Sequence, residues 1–280
     1  MIRKILLVLI ILGISSYGWS QGKKSKEIET KVRIHTTMGD IVVKLYNETP
    51  QTRDNFIKLV KEKFYDSTLF HRVIKTFMIQ AGDPNSKKAA PGVMLGNGDA
   101  GYTVPAEIMP DLFHKKGAIA MARQSDEVNP TKASSGCQFY IVQGKVYRSG
   151  ELDTIEFRMN LGIKQQIFTK LINMPQNVAL RNKFIKFRDQ SNIDSLQALT
   201  KTIEPTIDSI YEKSPKFKFS DEERKVYTTV GGTQQLDGNY TVFGEVVQGL
   251  DVVDKIAGVQ IGKYDRPVED VRILSTEIVK

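Results

Sequence analysis

The sequence predicts a mainly β protein, one barrel or sandwich with a helical excursion inserted into one of its loops. Three observations carry that expectation. Short runs of β-branched and aromatic residues, punctuated by turn residues, fill the chain from about Val32 to Val142. Between Val146 and Lys225 glycine nearly vanishes, and apolar residues recur at three- and four-residue steps. Short strand-like runs then return, from Tyr240 to Val246 and near Val271 to Ile278.

The 280 residues are 40% hydrophobic and 26% charged, enough for one large domain or two ordinary ones with a real core. The net charge is +8, yet Lys and Arg are dispersed among acids, with no arginine-rich arm and no aromatic-basic interleaving. The basic balance therefore reads as a solvated surface, and no nucleic-acid partner is expected. The single cysteine, Cys137, has no partner for an internal disulfide. Between Gly136 and Gln138, at the start of an apolar run, it reads as a buried structural thiol. His35, His71 and His114 show no metal-ligand spacing, so neither a metal nor a cofactor is expected.

Taken in order, the chain opens with Arg3 and Lys4, an apolar run from Ile5 to Ile14, and small residues ending in Gly18-Trp19-Ser20. This is the pattern of a secretory leader, residues 1–20. The run is short for a bilayer span, which takes about 20 apolar residues, so no stable membrane insertion is expected after cleavage. Residues 21–30 are polar and lysine-rich and read as a flexible linker. The first β part, 31–145, begins with VRIHTTMGDIVVKLY, two β-rich runs flanking Met38-Gly39-Asp40, a hairpin. ETPQTRDNFIKLVKEKFYD reads as a helix: Thr49 is placed to cap it, Pro50 suits its first position, and Phe56, Leu59 and Val60 share a face. LFHRVIKTFMIQAGDP follows as two strands around Lys75-Thr76. Residues Asp83 to Asp111, rich in Gly and Pro, form a long irregular excursion of the kind that often carries function. GAIAMAR and CQFYIV make the next strand pair.

Residues 146–225 are the helical insertion. Ile155, Met159, Ile163, Ile167 and Leu171 fit one helix, and Leu180, Phe184 and Phe187 another. Leu196, Leu199, Ile203, Ile207 and Ile210 continue the pattern, giving two or three helices in all, with Pro175 and Pro205 at breaks or first turns. The second β part, 226–280, returns to strands around a short helix whose apolar face is Leu250, Val253, Ile256 and Ala257.

The stretch from Leu69 to Pro84 holds a guanidinium and an amide, Arg72 and Gln80, among bulky hydrophobes. Alternate strand residues share a face, so Met78 and Gln80 point one way and Ile79 the other. A charged group beside such residues must find partners or face a groove. Two readings are open from this stretch alone. Arg72 snorkels to solvent while Gln80 satisfies a loop, or both line a groove.

FHRVIKTFMIQAGDP closely resembles the core signature of the cyclophilins, peptidyl-prolyl cis-trans isomerases. Three further segments are similar in the right order: IVVKLYNETPQTRDNF, GAIAMARQSDEVNPTKASSGCQFYIV and QLDGNYTVFGEVVQGLDVVDKI. The insertion has no counterpart in the minimal family domain. The resemblance implies an eight-stranded closed antiparallel β-barrel capped by two helices. It also implies a groove on the outer face, because a barrel of this size is filled by its own side chains.

Carried over residue by residue, the resemblance puts Arg72 in the place of the catalytic arginine, with Phe77, Met78 and Gln80 beside it. Ala122 and Arg123 match the strand whose backbone pairs with bound peptide. Gln138 matches the glutamine after Gly-Ser, here Gly-Cys. Tyr140 stands where the proline pocket has Phe, which adds a hydroxyl to an apolar pocket, and Leu236 matches the pocket leucine. Two positions depart: the tryptophan before that leucine is Gln235, and the pocket histidine is Tyr240. The bacterial character of the motifs, together with the leader, implies a periplasmic enzyme acting on proline-containing, partly folded polypeptides.

The residue types suit the chemistry. The Xaa-Pro bond is nearly balanced between cis and trans, but the barrier is ~18–20 kcal/mol because the C–N bond has double-bond character. Uncatalysed exchange takes about 10–100 s. A hundred-thousandfold acceleration requires the twisted state to be stabilised by roughly 7 kcal/mol. In that state the proline nitrogen gains a lone pair, and a fixed cationic donor such as Arg72 favours twist over plane. No bond is made, so no nucleophile, metal or cofactor is needed. The other reading from the sequence is a non-catalytic cyclophilin-like module, acting as a chaperone or partner binder through the insertion.

Overall fold

Side chains alternate between the two faces of each strand, and that alternation positions both the core and the groove. The computed structural model describes residues 29–279. The expected leader and the linker up to residue 28 lie outside the described residues. The linker's last two residues are tied in: Glu29 pairs with Lys44 at 3.2 Å, and the Thr30 carbonyl accepts the Leu45 N–H at 2.9 Å.

The chain begins with strands β1 (Lys31–Thr36) and β2 (Gly39–Leu45), the expected hairpin, followed by helix α1 (Pro50–Lys61). Strands β3 (Arg72–Ile74), β4 (Met78–Ala81), β5 (Thr103–Val104), β6 (Ala118–Met121), β7 (Ser134–Ser135) and β8 (Phe139–Val142) come next. The insertion supplies helices α2 (Ser149–Asn173), α3 (Val178–Asp189), α4 (Ile193–Glu212) and α5 (Asp221–Thr229), so the helical excursion runs past residue 225, its expected end. The chain ends in β9 (Val242–Gln248), α6 (Leu250–Ala257) and β10 (Ile273–Val279). Outside the insertion the protein is mainly β.

Eight strands form one antiparallel sheet in the order β10-β1-β2-β9-β6-β8-β4-β3, and β5 pairs with β7 apart from it. The sheet is an open, curled half-barrel rather than the closed barrel expected. Its ladder stops at β3 on one side and β10 on the other. The segment before β3 turns, with Lys63 and Ser67 at φ 54° and 68°, and so cannot run on as a strand. Single backbone bonds cross this seam instead: Phe70 N–H donates to Val271 at 2.9 Å and Ile273 N–H to Thr68 at 2.8 Å.

The inner face carries the main core. Ile79, Ala81, Ile119, Met121, Phe139 and Ile141 point into it, and α1 and α6 pack there through Phe56, Leu59, Val60, Val253 and Ile256. The Phe56 ring centroid lies 5.0 Å from Tyr65, 5.4 Å from Phe139 and 5.2 Å from Phe243. Burying each such side chain stabilises the fold by roughly 1.5–3 kcal/mol. Two expectations are corrected here. In α6, Val252 is buried and Leu250 is 37% exposed. At α1, Thr49 makes no capping bond with its side chain. The two carboxylate oxygens of Glu107 accept the N–H groups of Gln51 and Thr52 at 3.0 and 2.8 Å instead.

The insertion has four helices, not two or three. Pro175 opens a short 3-10 turn, whereas Pro205 sits inside α4 and breaks nothing. Ser220 and Glu223 form a reciprocal capping box at the start of α5. Near the sheet, Tyr147, Leu152, Phe219 and Tyr227 are buried against Phe113; farther out, Phe168, Ile203 and Ile207 form a second cluster. Lys145 and Gly232 exchange backbone hydrogen bonds of 3.1 and 2.9 Å where the insertion leaves and returns.

Candidate active site

Register builds the site. Arg72 of β3 stands opposite Gln80 of β4, Gln80 opposite Tyr140 of β8, and Tyr140 opposite Ala120 of β6. These residues therefore form one row on the outer face. Met78, Ala118, Ala120, Tyr140, Val142 and Val242 make an apolar layer on that face, separate from the main core. Of the two readings left open by the sequence, the groove is the one the fold displays. A groove of about 330 Å³ is lined by Arg72, Phe77, Met78, Gln80, Ala122, Arg123, Tyr140, Leu236 and Tyr240.

Gln138, the remaining expected residue, is only 6% exposed and lines an adjoining cavity that shares Gln80, Gly96, Asn97, Ala122 and Arg123 with the groove. Its Oε1 accepts Gln80 Nε2 at 3.0 Å, and its Nε2 donates to the carbonyls of Gly96 and Gly98 at 2.9 and 2.6 Å. Gln138 thus holds Gln80 and pins the loop that forms one bank of the groove. Gln80 Oε1 in turn accepts Arg72 Nη1 at 3.5 Å.

Phe77 sits at the β3–β4 turn, made possible by the positive φ of 63° at Thr76, and Met78 is buried directly after it. Leu236 closes a 3-10 turn, and Tyr240 follows four residues later. Arg123 is committed to the protein. Its guanidinium carbon lies 4.7 Å from the Tyr240 ring centroid, its Nε donates to the Asn239 carbonyl at 2.7 Å, and its Nη1 pairs with Asp126 at 2.6 Å. Ala122 is likewise bonded inward, its N–H donating to Gln138 at 2.9 Å and its carbonyl accepting Ser135 N–H at 2.7 Å.

The Tyr140 hydroxyl does not enter the groove, contrary to expectation. It lies 2.9 Å from Nε2 of His114, which is fully buried. The groove therefore meets an aromatic ring at this position, not a polar tip. Burial, helped by Tyr240 and Asp237, pushes the Tyr140 hydroxyl pKa well above its ordinary value, so it stays protonated.

Sequence reasoning missed His71, Met94, Leu95, Gly96, Asn97 and Tyr264, which also line the groove. Only the glycine and proline density of the loop after Asp83 pointed to four of them. His71 is buried, and burial lowers its pKa to about 4 against the raising influence of Asp83. Among the described residues, no His, Cys, Asp and Glu cluster is arranged to hold a metal ion.

Comparison with known proteins shows which family the chain is similar to. The family model described as "Cyclophilin type peptidyl-prolyl cis-trans isomerase/CLD" matches residues 31–193 and 220–278. A Staphylococcus aureus (strain COL) protein named "Putative peptidyl-prolyl cis-trans isomerase" is 30% identical over 91% of this chain and 95% of its own. A Staphylococcus haemolyticus protein of the same name is 28% identical over 91% and 94%. Among solved structures, a Cryptosporidium parvum cyclophilin type peptidyl-prolyl cis-trans isomerase superposes with a TM-score of 0.51 at 18% identity, covering 90% of this chain and 98% of that one. The same Cryptosporidium enzyme in the presence of the dipeptide Ala-Pro gives a TM-score of 0.50 at 19% identity, over 89% and 99%.

Proposed function

The chain belongs to the cyclophilin-type peptidyl-prolyl cis-trans isomerases, enzymes that rotate Xaa-Pro bonds, and on that premise we propose that its outer-face groove is where the rotation occurs. The observation that carries this reading is the cross-strand pair of Arg72 and Gln80 standing over an apolar layer. Phe77, Met78, Leu236 and the Tyr140 ring hold the proline ring. Gln80 and the main chain of Arg123 grip the peptide on one side, since Ala122 has its own main-chain groups bonded inward. Arg72 stabilises the lone pair that appears on the proline nitrogen as the bond twists, in a groove that partly excludes water. The Ala-Pro dipeptide that accompanies the Cryptosporidium relative makes Ala-Pro peptides the natural first substrate.

The test follows cis-to-trans conversion of an Ala-Pro peptide by the chain from Gln21 onward, beside Arg72→Ala. Removing one preorganised donor of this kind lowers the rate by about 100- to 1,000-fold. Arg72 is a part-exposed strand residue, so the variant should keep its fold and its thermal midpoint. Equal activity of the two folded proteins would place the chemistry elsewhere.

We further propose that the protein is exported to the periplasm, on the strength of Arg3, Lys4, the Ile5–Ile14 run and the small residues before Gln21. Among the described residues no helix is long and apolar enough to cross a membrane. N-terminal sequencing of protein from a fractionated cell decides: a start near Gln21 in the periplasmic fraction supports export, and an intact Met1 in the cytosol rejects it. A chaperone role for the insertion rests on Phe157, Ile193 and Leu161, exposed at 68, 65 and 55%. Replacing these three by Ser should leave isomerisation intact and abolish suppression of a client's aggregation.

A further inference from the structure

The helical insertion reaches the groove through a chain of hydrogen bonds. It begins at Tyr227, a fully buried residue of α5 packed among Phe113, Tyr147 and Phe219. The Tyr227 hydroxyl donates to Oδ2 of Asp237 at 2.5 Å. The other oxygen of Asp237 accepts twice from His114, from the backbone N–H and from Nδ1, both at 2.8 Å. His114 Nε2 then meets the Tyr140 hydroxyl at 2.9 Å.

Chemistry orders the hydrogens along this chain. A carboxylate only accepts, so the Nδ1 hydrogen of His114 faces Asp237. In the neutral ring Nε2 then accepts the proton of the Tyr140 hydroxyl. The His114 and Tyr140 rings lie 12° from parallel with centroids 6.0 Å apart, and Tyr240 meets Tyr140 edge-on at 5.8 Å. Asp237 is also the residue after Leu236, so its position sets the turn that presents Leu236 to the groove.

We propose that Tyr227 is a positioning residue for the proline pocket: through Asp237 and His114 it fixes the Tyr140 ring and the Leu236–Tyr240 turn in their proline-binding geometry. The insertion is thereby a working part of the site and not a decoration. This inference rests on the groove being the proline site. The pocket holds the proline ring in ground state and transition state alike, so a loosened pocket raises KM and leaves kcat nearly unchanged.

The experiment measures turnover and calorimetric binding of an Ala-Pro peptide with the full-length chain. It compares wild type, Tyr227→Phe, Tyr140→Phe, the double variant, and Phe219→Leu. Misplacement of a binding group by a fraction of an ångström is expected to raise KM and Kd about tenfold in Tyr227→Phe, with kcat within about twofold. In the Tyr140→Phe background the second substitution should add less than it does alone, because the branch of the relay that ends at Tyr140 is already cut and only the branch through Asp237 to the Leu236 turn remains. Phe219→Leu loosens the packing around Tyr227 but removes no hydrogen bond of the relay, and should lower the thermal midpoint with KM unchanged. Tyr227→Phe with wild-type KM, additive effects in the double variant, or an equal KM rise in Phe219→Leu would each overturn the proposal. Should Tyr227→Phe fail to fold, Asp237→Asn tests the same link, and an unchanged Kd there refutes it. A wild type that neither binds nor turns over the peptide removes the groove reading itself, and this inference with it.

Discussion

The carboxylate of Asp265 lies 3.4 Å from Nε of Arg72, although the two residues are 193 positions apart. Both side chains are about two-fifths exposed, at 41 and 43%, so the pair adds at most about 1 kcal/mol to stability. Its effect on the reaction is larger in kind. A negative charge beside the guanidinium offsets part of the field that the twisted peptide bond would feel. Asp265→Asn is expected to raise kcat/KM of the Arg72-dependent reaction by no more than about fivefold, with little change in stability. Added salt should bring the wild type toward the variant, because an exposed pair is screened. A fall in kcat/KM would mean that Asp265 orients Arg72 more than it neutralises it.

Gln138 bonds to Gln80 on one side and to two loop carbonyls on the other. Gln138→Leu keeps the volume and removes all three bonds. Buried groups left without partners cost about 1–3 kcal/mol, so the urea midpoint should fall accordingly. Peptide affinity should fall as well, since Gln80 and the Gly96–Gly98 loop lose their common anchor. Unchanged affinity in a destabilised variant would confine Gln138 to the fold.

Helix α1 is capped by a residue far from it. Glu107→Ala leaves two N–H groups at the helix start without their acceptor and should cost about 1–2 kcal/mol. Thr49→Val replaces a buried, unpaired hydroxyl by a methyl of the same shape, and should be neutral or stabilising. Chemical denaturation of the two variants separates the roles. A large loss in Thr49→Val would restore Thr49 as the cap.

His71 makes stability depend on pH. Unfolded, a histidine titrates near 6.5. Folded, with burial outweighing the attraction of Asp83 and with Arg72 and Arg266 opposing protonation, His71 titrates at about 4. The unfolded chain therefore takes up a proton that the native chain refuses, and this contribution to stability is lost as pH falls from about 6.5 to 4. Between pH 7 and pH 5 the loss should be about 2 kcal/mol. His71→Asn should lack this component, so urea midpoints of the two proteins should converge as the solution is acidified. Parallel pH dependence would show that His71 gains a partner for its charge.

Much of the site was legible because strands write their geometry into sequence with a period of two. Met78 and Gln80 on one face and Ile79 on the other follow from that period alone, and the short turn at Lys75-Thr76 sets Arg72 opposite Gln80. What escaped was set by contacts remote in sequence. Thr49 has the chemistry of a cap, but a carboxylate 55 residues from Thr52 satisfies the helix instead. Pro205 reads as a breaker, yet the helix continues through it. The direction of the Tyr140 hydroxyl depends on His114, which no spacing ties to it. Met94, Asn97 and Tyr264 reach the groove from irregular loops, where no periodicity announces which side chain turns inward. The closed barrel came from likeness to a family, and the turning segment ahead of β3 leaves the seam open.

The neck between Lys145 and Gly232 has a consequence for descent. Four helices leave and rejoin the sheet beside one backbone pair, with Gly144 and Gly231 at φ 63° and 89° on either side of it. Chain that departs and rejoins at one place can be lengthened, shortened or exchanged in a single in-frame event without shifting the register of any strand. Lineages sharing this sheet are thus free to diverge there by whole helices. Those glycines have no room for a side chain, so such exchanges would have to keep them, and Tyr227 is a residue of the departing segment that the groove would miss.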